Sequence, residues 1–203
     1  MVRVKICGIT HLTDALAAVE AGVHALGFVF FPRSPRYISP DRAREIVSSL
    51  PPFVTTVGVF VDESPGHIKE ILDAVGLDLV QLHGQEPPET CKALFPRVIK
   101  AFRLKGPEDL PQIEAYRQVV RAILLDTYRP GIPGGTGECF DWHLALSAKP
   151  FGLPLILAGG LGPNNVRRAI ETVDPYGLDV SSGVEISPGR KDPQKIKALM
   201  AQL

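Results

Sequence analysis

The sequence has few cysteines, no excess of charge of either sign and no long apolar run. Its three cysteines, Cys7, Cys91 and Cys139, are widely spaced and form no C-x-x-C pair, which argues against a disulfide framework or a zinc ribbon. Because 22 basic side chains balance 22 acidic ones, a basic nucleic-acid-binding surface is not expected. Apolar runs such as 26–31 and 153–158 are far shorter than the roughly 20 residues that cross a bilayer. We therefore expect a cytoplasmic protein with no membrane span and no nucleic-acid partner.

What the chain does contain is one alternating unit, repeated along its length. Short runs rich in β-branched residues are each followed by a polar turn and then by a segment with helical spacing. The predicted strands are Val2–Ile6, Ala25–Phe30, Val54–Val61, Asp78–Leu82, Val98–Phe102, Ala122–Leu125, Pro154–Leu157 and Leu178–Val180. The predicted helices are Leu12–Ala21, Pro40–Ser49, Pro65–Val75, Pro87–Leu94, Asp109–Tyr116, Asp141–Ser147, Pro163–Thr172 and Pro193–Gln202.

The alternation of strand and helix predicts a closed (β/α)8 TIM barrel of the α/β class, in a single domain over residues 1–203. Strands that alternate with helices pair in parallel through right-handed crossovers, and 203 residues are close to the smallest length for eight such units. A doubly wound open sheet is the alternative, but no G-x-G-x-x-G motif follows the first strand. The fifth helix has the weakest pattern, because Pro111 interrupts it.

Several predicted strands end in polar, ionisable residues, which are unusual in buried segments. In a barrel the carboxyl ends of all eight strands lie on one face, where active sites are built. The first strand ends at Cys7 and the sixth at Asp126. Since side chains alternate along a strand, Cys7 shares the barrel interior with Lys5. The same parity places Gln81, His83, Asp126, Asp179 and Ser181 inside the barrel.

Cys7 and Asp126 are candidate groups for proton transfer. A thiol acts as a base only as the thiolate, and the nearby ammonium of Lys5 would favour that form. Other interpretations stay open at this point. Cys7 is also consistent with a small buried apolar residue, Lys5 with a structural ion pair to Asp179, and Asp126 with a helix cap or a solvated strand end.

Two glycine-rich loops follow the seventh and eighth strands, at residues 157–165 and 179–185. Loops at these places in a barrel commonly bind phosphate through backbone amides, hydroxyl groups and a short helix N-terminus. The candidate phosphate ligands are Gly159, Gly160, Ser182 and Gly183. An ordinary turn explains either loop alone, but two such loops adjacent in space favour a small phosphorylated substrate.

Several other loop residues are candidates for substrate binding, for a lid or for an interface. Arg36 follows the second strand and could hold a carboxylate through two parallel hydrogen bonds, whereas Arg33 suits a solvated loop. His83, at the end of the fourth strand, is either an acid or base or a packed, hydrogen-bonded histidine. The glycines of 134–137 suit a lid or an ordinary loop, and the exposed apolar Phe53 suits an interface of a homodimer.

Several motifs together resemble the phosphoribosylanthranilate isomerases of tryptophan biosynthesis. They are Lys5-Ile-Cys-Gly-Ile-Thr10, Leu26-Gly-Phe-Val-Phe30, Ser34-Pro-Arg36, Val57-Gly-Val-Phe60, Val80-Gln-Leu-His-Gly84, Gly134-Gly-Thr-Gly137, Ala158-Gly-Gly-Leu161 and Asp179-Val-Ser-Ser-Gly-Val-Glu185. The resemblance spans residues 4–192 and implies a (β/α)8 barrel that converts N-(5-phosphoribosyl)anthranilate into a carboxyphenylamino-deoxyribulose phosphate by an Amadori rearrangement. It implies no cofactor and no metal.

The same resemblance implies roles for individual residues. Cys7 matches the general base of the family, and Asp126 matches its general acid. Arg36 matches the arginine that meets the anthranilate carboxylate, and the loops after strands seven and eight match the phosphate site. The residues expected to bind substrate are Arg36, His83, Gly159, Gly160, Asp179, Ser181, Ser182 and Gly183. In the sixth loop, Glu138 and Cys139 stand where the resemblance leads us to expect other polar residues.

Two alternative functions stay open from the sequence. One is another phosphosugar barrel enzyme, such as a carboxyphenylamino-deoxyribulose phosphate cyclase or a sugar-phosphate epimerase. An epimerase is expected to carry metal-binding His and Asp at its strand ends, where this sequence has few histidines beyond His83. A cyclase is expected to carry a lysine acid and glutamates at its strand ends, which the predicted interior lacks. The other alternative is a barrel that binds a phosphorylated metabolite without catalysis, which the fold does not distinguish from an enzyme.

Overall fold

Eight parallel strands close into a barrel in chain order, with β1 paired to β2 on one side and to β8 on the other. The computed structural model describes residues 2–126 and 142–203. The strands are β1 (Arg3–Cys7), β2 (Ala25–Val29), β3 (Thr55–Phe60), β4 (Leu79–Leu82), β5 (Val98–Phe102), β6 (Ala122–Asp126), β7 (Leu155–Ala158) and β8 (Gly177–Val180). A two-stranded antiparallel hairpin of β9 (Glu185–Ser187) and β10 (Arg190–Lys191) follows β8. The predicted TIM barrel is confirmed.

Helices connect successive strands on the outside of the barrel. They are α1 (Leu12–Glu20), α2 (Pro40–Ser48), α3 (Pro65–Val75), α4 (Pro88–Leu94), α5 (Trp142–Ala148), α6 (Val166–Val173) and α7 (Pro193–Met200). Three of them begin with a capping side chain followed by proline: Ser39, Ser64 and Asp192 each accept a hydrogen bond from a backbone N–H of the first turn. No helix within the described residues is both long and apolar enough to span a bilayer.

Two predicted helices differ from the structure in a way that their sequences explain. The segment predicted as an α-helix over Asp109–Tyr116 is a 3₁₀ helix over Pro107–Tyr116, because Pro111 supplies no N–H for an α-helical bond and clashes with the preceding turn. The helix predicted from Pro163 begins only at Val166. Asn165 instead folds its side chain back to accept from the N–H of Gly162, at 2.9 Å, which closes a turn before the helix.

The core has two layers, which follow from the alternation of side chains along each strand. Outward side chains such as Ile6, Phe28 and Leu82 pack under the helices in the main hydrophobic cluster. Inward side chains form two smaller clusters inside the barrel. One contains Ile99, Ala101, Ala122, Leu124, Ile156 and Ala158, and the other contains Cys7, Val29 and Val59. Charged side chains of the barrel interior therefore lie close to apolar walls.

A cavity of about 1000 Å³ opens at the amino ends of the strands, opposite the end where Cys7 and Asp126 lie. Its walls include Val54, Leu79, Ile99 and Pro154. Phe53 lies at its edge, fully exposed, with a backbone φ of 70° that non-glycine residues seldom adopt. An apolar side chain is thus held outward beside a cavity whose walls are partly apolar and also include Arg3, Asp78 and Arg97.

Candidate active site

Cys7 and Lys5 meet inside the barrel in a space that Gly27 leaves open. Cys7 is 8% exposed and Lys5 is 6% exposed. A Cβ atom added to Gly27, on the neighbouring strand β2, would lie 2.8 Å from the Cys7 Sγ and 3.0 Å from the Lys5 Nζ. The thiol and the ammonium therefore converge on the one position of β2 that has no side chain, which accounts for glycine at this point of the sequence.

Lys5 is bound on its other sides by a carboxylate and an amide. Its Nζ donates to both oxygens of Asp179, at 3.0 Å each, and to the Oε1 of Gln81 at 2.9 Å. Burial lowers the pKa of Lys5, but the Asp179 carboxylate and Cys7 together outweigh burial and leave that pKa above its ordinary value. The ion pair between Lys5 and Asp179, which the sequence left open, is present, and it turns the Asp179 carboxylate toward Lys5.

The pKa of Cys7 is set by two opposing effects. Burial raises the pKa of the thiol, and the Lys5 ammonium lowers it by less, so the net pKa lies above the ordinary value. Lys5 thus acts in the direction that the sequence predicts, but the low-polarity surroundings have the larger effect. Cys7 is a thiol at neutral pH in the free protein, and the thiolate is a minor form that Lys5 stabilises.

Asp126 is connected to this cluster by a chain of hydrogen bonds through Gln81 and His83. Because Lys5 donates to the Gln81 Oε1, the Gln81 Nε2 is free to donate to the His83 Nδ1, at 3.2 Å. The His83 Nε2 then carries the proton and donates to the Asp126 Oδ2 at 3.1 Å. The single ammonium of Lys5 therefore fixes the tautomer of His83 and the bond that orients Asp126.

Asp126 lies at the rim of the barrel, where the site opens to solvent. Its side chain is 16% exposed, as is that of His83. Arg103, on the loop after β5, brings its Nε to 3.6 Å from the Asp126 Oδ2 while remaining 70% exposed. Arg103 has no distinguishing motif in the sequence, because a charged residue in a polar loop is usually only solvated.

Arg36 reaches the site from the loop after β2 and is held there by Glu185. Its Nε donates to the Glu185 Oε1 at 2.9 Å and its Nη2 to the Oε2 at 2.6 Å. Lys191 donates to the same Oε1 at 2.7 Å and to the main-chain carbonyl of Cys7 at 2.5 Å. The sequence predicts Arg36 but gives no role to Glu185 or Lys191, because their contacts depend on how the hairpin of β9 and β10 folds over the barrel.

The two predicted phosphate loops lie against each other. A Cβ atom on Gly183, in the loop after β8, would clash with the carbonyl oxygen of Leu161 in the loop after β7. Gly159 and Gly160 both have left-handed backbones, with φ of 87° and 65°, and Gly160 has open space where a side chain would be. Ser182 begins a short 3₁₀ turn beside Gly183. Backbone amides and a hydroxyl group are thus gathered at one open corner of the barrel mouth.

Ser181 lies between this corner and β1. Its Oγ donates to the Cys7 carbonyl at 3.0 Å, so its hydroxyl proton is directed at the main chain and not at the corner. The predicted lid glycines of 134–137 and Cys139 lie outside the described residues, in the connection between β6 and α5.

A sequence profile of the family described as N-(5'phosphoribosyl)anthranilate (PRA) isomerase matches residues 4–202 of this chain. The chain belongs to this family. It is similar to the N-(5'-phosphoribosyl)anthranilate isomerase of Geobacter sulfurreducens, with 58% identity over 197 residues that make up 97% of this chain and 96% of the relative. Membership of the PRA isomerase family identifies the chain as an isomerase of tryptophan biosynthesis and confirms the resemblance noted from its motifs.

Solved structures of PRA isomerases share the fold closely. The crystal structure of the Thermotoga maritima enzyme superposes with a TM-score of 0.93 at 51% identity, covering 100% of this chain and 98% of that one. A PRA isomerase in complex with reduced 1-(o-carboxyphenylamino)-1-deoxyribulose 5-phosphate gives a TM-score of 0.89 at 48% identity, with 100% and 98% coverage. A structure of monomers generated from the dimeric T. maritima enzyme gives 0.89 at 47% identity, with the same coverage.

Proposed function

We propose that Cys7 is the general base and Asp126 the general acid in the Amadori rearrangement of N-(5'-phosphoribosyl)anthranilate to 1-(2-carboxyphenylamino)-1-deoxyribulose 5-phosphate. The observation that supports this assignment is the hydrogen-bonded path from Lys5, beside the thiol, through Gln81 and His83 to Asp126. The thiol and the carboxyl group belong to β1 and β6, which are three strands apart in the closed barrel.

The reaction requires one proton donor and one proton acceptor. Asp126 protonates the ribose ring oxygen as the bond from C1 to that oxygen breaks, and the lone pair of the anthranilate nitrogen forms a C=N bond to C1. The iminium group acidifies the proton on C2, which Cys7 removes, and the electrons of that C–H bond form the enol. The enol then loses its hydroxyl proton and C1 gains one, which gives the ketone product. Lys5 stabilises the thiolate form of Cys7 that this sequence needs.

The rest of the mouth suits the two anionic ends of this substrate. Arg36 uses its Nε and Nη2 edge to bind Glu185, which leaves the Nη1 and Nη2 edge for the anthranilate carboxylate. At the other end, the amides of the two contacting loops suit the phosphate: Gly159, Gly160, Ser182 and Gly183. Asp179 binds Lys5, Ser181 binds the main-chain carbonyl of Cys7, and His83 binds Asp126.

Activity and binding measured together test these roles. We expect Cys7→Ser and Asp126→Asn to lower kcat by about 10² or more, because acid-base groups typically contribute that much, with little effect on affinity for the reduced product analogue. Decay of anthranilate fluorescence follows turnover, and titration calorimetry follows binding. The exposed Asp73 of α3 offers a matched control, Asp73→Asn, with unchanged activity expected. Near-normal turnover in either site variant would overturn the assignment, and binding without turnover in the native chain would favour a metabolite sensor.

We also propose that the chain forms a homodimer through the amino ends of the barrel strands. The fully exposed Phe53 beside the cavity supports this face, and a structurally similar PRA isomerase is dimeric. In light scattering, Phe53→Glu should convert a dimer into a monomer that keeps its activity, because the candidate active site is at the opposite end. A native chain that is already monomeric at micromolar concentration would refute the dimer.

We further propose a cytoplasmic location. Cys7 is a free thiol, and a reducing compartment keeps such a thiol unoxidised. Cell fractionation with an antibody against the chain tests this location, and recovery of the chain from an oxidising compartment would refute it.

A further inference from the structure

Glu185 and Lys191 form a buried pair that joins two parts of the active site which are distant in sequence. The Glu185 side chain is 5% exposed and that of Lys191 is 0% exposed. Their salt bridge, at 2.7 Å, lies between Arg36 on one side and the main-chain carbonyl of Cys7 on the other. Because both side chains are buried against these partners, they act on the site through Arg36 and the main chain of Cys7.

The geometry restricts Arg36 to one orientation. Two parallel hydrogen bonds to a carboxylate fix the plane of a guanidinium group as well as its position. The aliphatic part of Arg36 also lies on Gly8, whose φ is +81°, and a Cβ atom there would be 2.6 Å from the Arg36 Cδ. Glu185 therefore fixes the Nε edge of Arg36, and the backbone of Gly8 fixes its aliphatic part. The Nη1 and Nη2 edge is then already oriented before a ligand binds.

Charge stabilises the same arrangement. Burial raises the pKa of Glu185, but the hydrogen bonds from Arg36 and Lys191 outweigh burial and lower that pKa below its ordinary value. Glu185 is therefore ionised at neutral pH, and it forms charge-assisted bonds with both cations. One carboxylate thus lies between two cations and offsets part of their mutual repulsion.

We propose that Glu185 is a positioning residue that holds Arg36 in the orientation needed to bind the carboxylate of the substrate. Lys191 then couples Glu185 to β1, the strand that carries Cys7. The inference rests on the proposed function, in which Arg36 binds the anthranilate carboxylate. It assigns specificity for a 2-carboxyphenyl group to a residue that does not touch that group.

The experiment compares two ligands that differ only in the carboxylate. They are reduced 1-(2-carboxyphenylamino)-1-deoxyribulose 5-phosphate and the corresponding phenylamino compound, each titrated by calorimetry into the native chain and its variants. In Glu185→Gln we expect affinity for the carboxylated ligand to fall roughly tenfold, as for loss of an ordered charge-assisted contact, and affinity for the phenylamino ligand to stay unchanged. KM should rise more than kcat falls. The control is Glu45→Gln, because Glu45 pairs with Arg42 at the same 2.6 Å as Glu185 with Arg36 but on the surface.

Arg36→Ala separates failure of this inference from failure of the proposed function. If Arg36→Ala still prefers the carboxylated ligand as the native chain does, the role proposed for Arg36 is wrong. If Arg36→Ala loses that preference and Glu185→Gln keeps it, Arg36 binds the carboxylate but Glu185 does not position it. Equal weakening of both ligands in Glu185→Gln would indicate a general structural role and would also overturn the inference.

Lys191→Met tests the second arm of the proposal. Loss of the bond to the Cys7 carbonyl should lower kcat roughly tenfold, since small displacements of a reacting group reduce the rate strongly, while affinity for both ligands is kept. An unchanged kcat in folded Lys191→Met would remove this coupling. Should Lys191→Met not fold, Lys191→Arg keeps a cation in contact with Glu185 but with a larger, planar head group, and native kcat in that variant would count against the coupling.

Discussion

Gly27→Ala is a small change that should disable the proposed base without substituting Cys7 itself. Gly27 lies on β2 between the thiol of Cys7 and the ammonium of Lys5, and its backbone is not in the left-handed region. Alanine can therefore adopt the same backbone conformation, and only the added methyl group perturbs the site.

The size of the effect follows from the contacts that this methyl group would make. It would lie 2.8 Å from the Cys7 Sγ and 2.9 Å from the Lys5 Cε, whereas unstrained nonbonded contacts are about 3.5–4.0 Å. The thiol or its strand must therefore move by about 1 Å to relieve this contact. A misplacement of about 1 Å can reduce a reaction rate by about 10²-fold. Overpacking of this kind typically costs about 1–3 kcal/mol of stability.

Steady-state kinetics and urea unfolding of Gly27→Ala check both numbers. Gly66→Ala, in α3, is the matched control, since nothing lies within 4 Å of its added methyl group. We expect that variant to keep native activity and to gain up to about 1 kcal/mol from the higher helix propensity of alanine. If Gly27→Ala kept native kcat and stability, Cys7 and Lys5 would not be confined as the structure places them, and the proposed base would lose its support.

Other variants test the charges around the site. Lys5→Met should raise the pKa of Cys7 further, so that iodoacetamide alkylation at a fixed pH is slower than in the native chain; an unchanged pH profile would leave Lys5 a structural role only. Because the folded pKa of Glu185 lies below its ordinary value of 4.5, its stabilising contribution is complete above that pH and is lost as the pH falls through the lowered pKa. The thermal unfolding temperature of the native chain should therefore fall more on acidification than that of Glu185→Gln. Parallel plots of unfolding temperature against pH for the two proteins would contradict this. Lys100→Met should lower the unfolding free energy by about 3–5 kcal/mol, because it leaves the buried Glu86 without its cation; a loss below about 1 kcal/mol in urea titrations would show that the pair contributes little.

The barrel and its interior parity could be predicted because both follow from short-range regularities. Strand and helix patterns alternate eight times, and a side chain two residues from Cys7 must point to the same side. The pairing of Lys5 with Asp179 across β1 and β8 was foreseeable for the same reason. Pro111, by contrast, marked a segment where the local pattern was broken, and that segment became a 3₁₀ helix.

The contacts that hold the site residues, and the direction of the Cys7 pKa shift, could not be predicted from the sequence. The contacts depend on residues far apart in the chain, and the pKa depends on two opposing effects. Lysine is rarely buried, so nothing in the sequence around Lys191 indicates that the hairpin of β9 and β10 encloses it. For Cys7 the sequence gives the sign of the effect of Lys5, but the balance with burial depends on how closely Val29 and Val59 enclose the thiol. The direction of the net pKa shift can therefore be read only from the three-dimensional contacts.

The bond from Lys191 to the Cys7 carbonyl spans almost the whole polypeptide. During translation, the nascent chain exposes Cys7 first and completes the strand bearing Asp126 well before Lys191 leaves the ribosome. A partly synthesised chain therefore contains the strands of Cys7 and Asp126 before it contains Lys191, so the contact between the final hairpin and β1 is among the last that synthesis permits.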